Sequence, residues 1–568
     1  YKELVLSSLS IVVSSNSTTL ELAGEEMYQI QILAATEVPE LENARQNEYI
    51  AFLYAENCYG AIRGLETFSQ LIQPIQATDS SYYTYHITNV PLTIHDRPRF
   101  YWRGLMIDTA RHFASVEEIK GILDVMAWTK LNIFHWHMTD SESFPFESKT
   151  HKTLQQGAFS PSTTYSYEDI QIITDYAMAR GIHVIPEIDM PAHSHSWSVA
   201  HPELIVQCSD DDSEDQLNIS NESTYDLLHD LYGELKELFP ARYIHMGAND
   251  IDTMCWKVAG VLDAAARNFW DERDISVSDE DAMTTYFFEQ AFQMVFQKQK
   301  HAVVWQDLLP LTTVPSNVVV QVYDKDSSKY RETLELGYKT ILSSNYFLSE
   351  MEHEGENWRE FYSVNNAHMN AAKEYPELAI GGESCLWSDL IGPDNREPFL
   401  WPDAAVVAER LWTDESQLAD ADTRLQYWIC RISRRGHESS AIEPGDCTIP
   451  NQGTKFHVTQ SVSDEEIHFA LTFTNPHAQQ QTSDNILALN TLETSSSLGE
   501  VIEAAETVLG DTFFAIFSLL LGVVLGVSIK VLWNRTESKS KLITVVLTVG
   551  LFVLSFLYGL TLVSINFK

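Results

Sequence analysis

Between about residues 98 and 435 the chain repeats one pattern, a short apolar run, a polar or aromatic end, then a helical stretch. The runs are RGLMIDTA, LNIFHWHMTD, GIHVIPEID, YIHMGAND, HAVVWQDL, NVVVQVYD, KTILSSN and AIGGESCLWSD. Eight strand candidates spaced tens of residues apart are what a parallel (β/α)8 TIM barrel requires, which makes the fold class α/β. The runs end in Asp108, Asp140, Asp189, Asp250, Trp305, Tyr323, Asn345 and Trp387. Polar groups at the carboxyl ends of barrel strands build a pocket on one face. Strands that merely stop at polar turn residues account for one or two such ends, not for a set this rich in Asp, Trp and Tyr.

At 568 residues there is room for more than a barrel. Residues 1–97 read as a small α/β domain of alternating runs, followed by NCYGAIRGLETFSQLIQ, whose apolar spacing suits an amphipathic helix. No cluster of chemical residues occurs there, so its expected role is support. The barrel takes 98–447, and 448–510 is a polar spacer rich in Ser, Thr, Gln and Glu, with a small hairpin expected from KFHVTQSV and EIHFALTF.

The last segment, 511–568, reads as a transmembrane helical hairpin. Residues 512–533 are apolar apart from Lys530, and 542–567 carry no charge. Each run is long enough to cross about 30 Å of hydrocarbon. The connector 534–541 holds Arg535, Lys539 and Lys541 against Glu537, which puts it in the cytosol by the positive-inside rule. The large N-terminal part is then luminal or extracellular, in a lysosome- or vacuole-like compartment or at the cell surface, and the sequon at Asn534 stays unmodified. Gly522 and Gly526 form a G-x-x-x-G face that either packs the two spans together or docks a second copy or another membrane protein.

Composition narrows the partners. A formal charge of −43 excludes a basic surface for nucleic acid or anionic lipid. Six cysteines are few for this length, so disulfides are accessory staples. Sequons at Asn16, Asn218 and Asn221 are candidate glycosylation sites, the latter two in a polar stretch that reads as a surface loop. The first residue is Tyr1 rather than Met and no signal peptide is present there, as expected of a mature, processed form.

Carboxylates, His135, His137, His193 and several tryptophans at one rim point to sugar binding, because indole faces stack on pyranose rings while acids bind hydroxyls. HWH puts His135 and His137 on one side of a strand, but no third ligand stands at metal-site spacing. Structural, hydrogen-bonded histidines are the preferred reading, with no metal and no cofactor.

The chain resembles the family-20 glycoside hydrolases, specifically the lysosomal-type β-N-acetylhexosaminidases. The stretches that carry the resemblance are GAIRGLETFSQL, RGLMIDTARHF, LNIFHWHMTD, SFPFES, RGIHVIPEIDMPAH, YIHMGAND, CWK, VVWQD, GGESCLW and LWPDAAVVAERLW, in the family's order across 1–447. The resemblance implies a small α/β domain before a catalytic barrel, and glycans ending in N-acetylhexosamine as ligands. It also implies hydrolysis in which the substrate's own 2-acetamido oxygen attacks the anomeric carbon. In that chemistry an acid protonates the leaving oxygen and a neighbouring carboxylate orients the acetamide. The family's Asp-Glu pair aligns with Asn249 and Asp250. Arg103 and Asp140, implied to hold sugar hydroxyls, are kept, as are His193, Trp305 and Trp387. The family's second wall tryptophan is Tyr323 here, the tyrosine for the acetamide oxygen is Phe347, and the outer glutamate is shortened to Asp389. Asp252 does not restore the pair, since the family has an acid there as well. The resemblance further implies disulfides Cys208–Cys255 and Cys430–Cys447, with Cys58 and Cys385 as thiols.

Replacing a carboxylate by an amide about 4 Å from a cation removes roughly 4 kcal/mol at an effective dielectric near 20, on the order of a thousandfold in rate. Withdrawing the acid by about 1 Å removes on the order of another hundredfold. Loss of the tyrosine hydroxyl acts in the same direction. Two classes of function follow: a membrane-anchored homologue that binds glycans or serves as a structural subunit, with hydrolysis lost or severely impaired, or an active β-N-acetylhexosaminidase. Asn249 and Phe347 together favour the first.

Overall fold

The structure, a computed structural model, describes residues 5–15, 26–38, 48–76, 83–208, 215–257, 263–348, 358–363, 366–413, 418–442, 447, 456–462 and 467–473. Its strands are β1 Val5–Val13, β2 Tyr28–Ala34, β3 Glu48–Ala55, β4 Gln73–Gln76, β5 Tyr83–His86, β6 Leu92–Asp96, β7 Trp102–Asp108, β8 Ile133–Thr139 and β9 His183–Met190. They continue as β10 Ile205–Val206, β11 Gln216–Leu217, β12 Tyr243–Gly247, β13 His301–Trp305, β14 Val319–Val322, β15 Lys339–Leu342, β16 Ala379–Leu386, β17 Phe456–Val462 and β18 Ile467–Phe473. The helices used below are α1 Cys58–Leu71, α2 Val116–Trp128, α3 Tyr167–Met178 and α4 Glu222–Leu238.

Two compact units divide the chain. In the smaller, the strands run β17-β18-β1-β3. The hairpin expected in the polar stretch is present, β17 and β18 pairing antiparallel from Phe456↔Phe473 to Val462↔Ile467. The larger unit holds the barrel.

The eight runs all become strands of one closed parallel barrel, in the order β12-β13-β14-β15-β16-β7-β8-β9. It closes through His245↔Glu187 between β12 and β9. Every residue of β7, β8, β9 and β16 is buried, because helices cover the outside and side chains fill the inside. On the outer layer, α2 buries Ile119, Ile122, Leu123 and Met126, one stripe at helical spacing. Ser115 caps α2 by accepting from Glu118 N–H, and Ser166 with Asp169 forms a capping box on α3.

Inside, the side chains lie in layers. The first is apolar, with Trp102, Ile133, Ile185, Val303, Val319, Ile341 and Ile380 in one cluster. The next is polar: His135, Glu187, His245, Gln321 and Glu383, all buried. Gly104 makes room for it, since a Cβ there would overlap the Glu383 carboxylate. The layer nearest the strands' carboxyl ends is aromatic, with Met106, Trp305 and Cys385 packed against Tyr323, Phe347 and Trp387.

The expected helix over NCYGAIRGLETFSQLIQ is α1, capped by Asn57, whose Oδ1 accepts from Gly60 N–H at 2.9 Å. Among the described residues no helix is long and apolar enough to cross a membrane. The runs 512–533 and 542–567, their connector, Gly522 and Gly526 lie outside the described residues.

Candidate active site

The carboxyl end of β12 turns sharply. Gly247, Ala248 and Asp250 have φ of 69°, 71° and 50°, a left-handed conformation that costs roughly 1–2 kcal/mol per non-glycine residue. Ala248 N–H holds the turn by donating to Met190 O at 3.2 Å and Asp189 Oδ1 at 3.3 Å. The geometry sets Asn249 inward, 8% exposed, and Asp250 outward, its side chain 69% exposed.

Asn249 Nδ2 donates to Asp250 Oδ2 at 3.2 Å and lies 3.3 Å from His193 Nε2, whereas its buried Oδ1 has no hydrogen-bond donor. His193, itself at φ 55°, bridges Asp250 Oδ2 at 3.2 Å and Asp140 Oδ1 at 3.1 Å. Burial disfavours charge on this imidazole, but the bonds to Asp140 and Asp250 outweigh it and hold its pKa well above the usual histidine value. The hydrogen bond from His193 is in turn the main cause that lowers Asp250 below the ordinary carboxylate value. Asp140 is buried yet also held low, by hydrogen bonds from His137 and His193. The proton of this chain therefore rests on the imidazole rather than on the acid that faces solvent.

Arg111 organises the opposite side. Its guanidinium reaches Asp140 at 2.9 Å, Asp108 at 3.1 Å, Asp389 at 3.4 Å and Glu142 at 3.5 Å, and sits 5.3 Å over the Trp387 ring. Trp305, Tyr323, Phe347 and Trp387 form a closed set of rings. Trp305 meets Tyr323 at 5.7 Å, Tyr323 stacks on Phe347 at 5.6 Å, Phe347 meets Trp387 at 6.3 Å, and Trp387 returns to Trp305 at 6.1 Å. Tyr323 Oη donates to Asp307 Oδ1 at 2.9 Å, while Asp307 Oδ2 is buried without a partner.

Beneath the rings, Glu187 has His135 and His245 at 3.0 Å, His137 at 2.5 Å, and accepts from Trp305 Nε1 at 3.0 Å. Glu383 accepts from Trp102 Nε1 and Gln321 Nε2 at 2.8 Å and meets His135 at 2.7 Å. Burial resists charge on His135, but Glu383 and Glu187 raise it to about 9. Two groupings, His135–Glu187–His245 and His137–Asp140–Asp189, bring ligand-type atoms within 4.8 Å. His135 and His137 are buried and hydrogen-bonded, and Glu187 is the shared partner that the spacing of HWH did not reveal.

Arg103 is corrected. It stands at the start of β7, about 17 Å from Asp108 at the extended rise of a strand, and therefore at the opposite end of the barrel from the pocket. It is fully buried there, donating to Glu26 at 2.5 Å and to the carbonyls of Lys130 and Phe100 at 2.8 Å. Arg63 of α1 shares Glu26 at 2.9 Å and donates to Gly181 O, which explains the GAIRG stretch as a structural lock. The arginine at the pocket is Arg111. Asp140, His193, Asn249, Asp250, Trp305, Tyr323, Phe347, Trp387 and Asp389 do surround one mouth. Besides Arg111, the sequence reading missed Glu142, Glu187, Glu383 and Asp307. Arg111, three residues past the end of a strand, was findable from its place.

Both disulfides form, Cys208–Cys255 and Cys430–Cys447, and Cys58 and Cys385 are buried thiols outside them. Asn218 and Asn221 lie before α4, and Asn221 caps it by accepting from Ser223 N–H; Asn16 lies outside the described residues.

Residues 100–415 match the glycosyl hydrolase family 20 catalytic domain. The beta subunit of β-hexosaminidase from Felis catus is 34% identical over 413 residues, 70% of this chain and 75% of that protein. Subunit A1 from Dictyostelium discoideum is 33% identical over 456 residues, 77% of this chain and 79% of that protein. Among solved structures, a chitobiase from Flavobacterium johnsoniae has a TM-score of 0.59 at 27% identity, covering 74% of this chain and 61% of its own. The β-N-acetylhexosaminidase from Streptomyces coelicolor, at 22% identity and a TM-score of 0.56 over 73% of this chain and 83% of its own, shares the fold. The matched span and these identities establish that the chain belongs to glycosyl hydrolase family 20.

Proposed function

We propose that the protein is a β-N-acetylhexosaminidase homologue whose barrel binds hexosamine-bearing glycans or serves as a structural subunit, with hydrolysis lost or severely impaired. The observation that carries this reading is the Asn249–Asp250–His193 arrangement. Substrate-assisted hydrolysis needs one carboxylate to balance a positive oxazolinium ring and a protonated acid beside the leaving oxygen. Asn249 offers a neutral amide to the first task. Asp250, held ionised by His193, has its proton withdrawn from the second. Phe347 supplies a ring where a hydroxyl donor would steady the acetamide oxygen. The sugar-binding part of the site survives in Arg111, Asp140 and the aromatic walls. In this reading residues 512–533 and 542–567 anchor the barrel to a membrane, with the barrel luminal or extracellular, and the Gly522/Gly526 face supports a homodimer or a complex with another membrane protein. A slow, active enzyme is favoured by one observation, the intact Asp140–His193–Asp250 chain.

The test is paired. Purified full-length protein is titrated calorimetrically with hexosamine oligosaccharides, N-acetylated and free-amine, and incubated with an aryl N-acetylglucosaminide from pH 4 to 8. Binding that disappears in Trp387→Ala, with almost no turnover, supports the proposal. Turnover at about 10 per second or more would establish the active-enzyme reading instead.

A further inference from the structure

Two buried acceptors at the mouth lack a donor, Asn249 Oδ1 and Asp307 Oδ2. They lie beyond neighbouring strands, since β12 pairs with β13 in parallel register. Asn249 is 8% exposed, so its unpartnered oxygen is not satisfied by its place at the rim. An unmet buried acceptor costs about 1–3 kcal/mol, which a ligand donor would recover. Charge runs the same way. Asp250 and Asp324 both act on the Asp307 carboxyl, which burial, first, and then these neighbours raise above its ordinary value. The cations that face this acidity, Arg111 and His193, are already engaged by Asp108, Asp140 and Asp250.

An acetamide brings one N–H and a carbonyl that itself needs a donor. Phe347 has none to give, and Tyr323 Oη is committed to Asp307. A protonated amine brings three N–H donors and a positive charge. Tyr323, Phe347 and Trp387 are partly exposed, and cation–π attraction to an aromatic ring is worth about 0.5–2 kcal/mol. We propose that this pocket selects a glycan with a free, protonated 2-amino group, a glucosaminide of the chitosan kind, over its N-acetylated counterpart. The inference rests on the reading of this mouth as a sugar site and names the sugar.

Calorimetry on the full-length protein at pH 6, with chitosan tetramer and with its fully N-acetylated counterpart, tests it. The expected result is at least about tenfold tighter binding of the free-amine oligomer, the effect of about 1.4 kcal/mol. Asp307→Asn should reduce that ratio towards one, with an unfolding temperature close to the parent's showing that the fold persists. Equal or tighter binding of the N-acetylated oligomer would overturn the proposal and leave the sugar-site reading standing. Binding of neither would remove both.

Discussion

His193 Nε2 stands 3.2 Å from Asp250 Oδ2, and through this contact a half-buried imidazolium keeps an outward-facing carboxyl ionised. Deleting the donor should release the acid. In His193→Gln the Asp250 carboxyl is expected to titrate at higher pH than in the parent, as read by carboxyl-carbon NMR. An unchanged midpoint would mean that Asp250 is set by something other than His193.

Arg103 and Arg111 should separate in ligand affinity. Arg103→Ala leaves Glu26 buried with one fewer partner and is expected to cost about 3–5 kcal/mol of stability with little direct effect on ligand affinity. Arg111→Ala should weaken sugar binding by about a hundredfold and also cost stability, because it leaves the buried Asp108 and Asp140 carboxylates each short of a partner. Denaturant melts and calorimetric titrations on both variants check this. The reverse pattern would restore Arg103 to the site.

The buried histidine–carboxylate layer gives stability a defined pH dependence. His135 is raised to about 9 in the fold from an ordinary 6.5, so its contribution is complete below about 6.5 and is lost as pH rises through 9. Glu187 is held well below its ordinary value, by His245, His137 and His135 against burial, so its contribution is present above about 4 and is lost on acidification. Thermal unfolding followed from pH 3 to 10 should show a maximum between these limits and a fall on both sides. A flat alkaline limb would contradict a charged His135.

Gly247→Ala should disturb the turn that presents the Asn249–Asp250 pair. Its φ is 69°, and a Cβ would overlap the Asp189 carboxylate. The expected loss is about 2 kcal/mol or more in denaturant unfolding, accompanied by weaker sugar binding. A neutral substitution would mean that the turn adapts.

The barrel was legible because each strand is a compact apolar run with a polar end, and all eight runs fell into place. The aromatic walls were legible for the same reason, being the residues just past those runs. Arg103 was misplaced because a motif fixes which residues recur together, not which end of a strand each occupies. RGLMIDTAR carries one arginine at the start of β7 and another beyond its end, and only the pocket's position at the carboxyl ends distinguishes them. Glu187 and Glu383 were hidden because their partners, His135, His137 and His245, come from other strands, and pairing across a closed barrel leaves no local spacing to read.

The most direct measurement concerns the pair itself. The triple variant Asn249→Asp, Asp250→Glu, Phe347→Tyr restores the charge that balances the oxazolinium ring, the reach of the acid and the hydroxyl donor. Release of aryl alcohol from an N-acetylglucosaminide by this variant should exceed that of the parent by several orders of magnitude, on the order of the thousandfold and hundredfold effects of charge and reach, which do not simply add. The parent should show almost none between pH 4 and 8. A parent that already turns over at about 10 per second or more, or a folded triple variant as inert as the parent, would contradict the account.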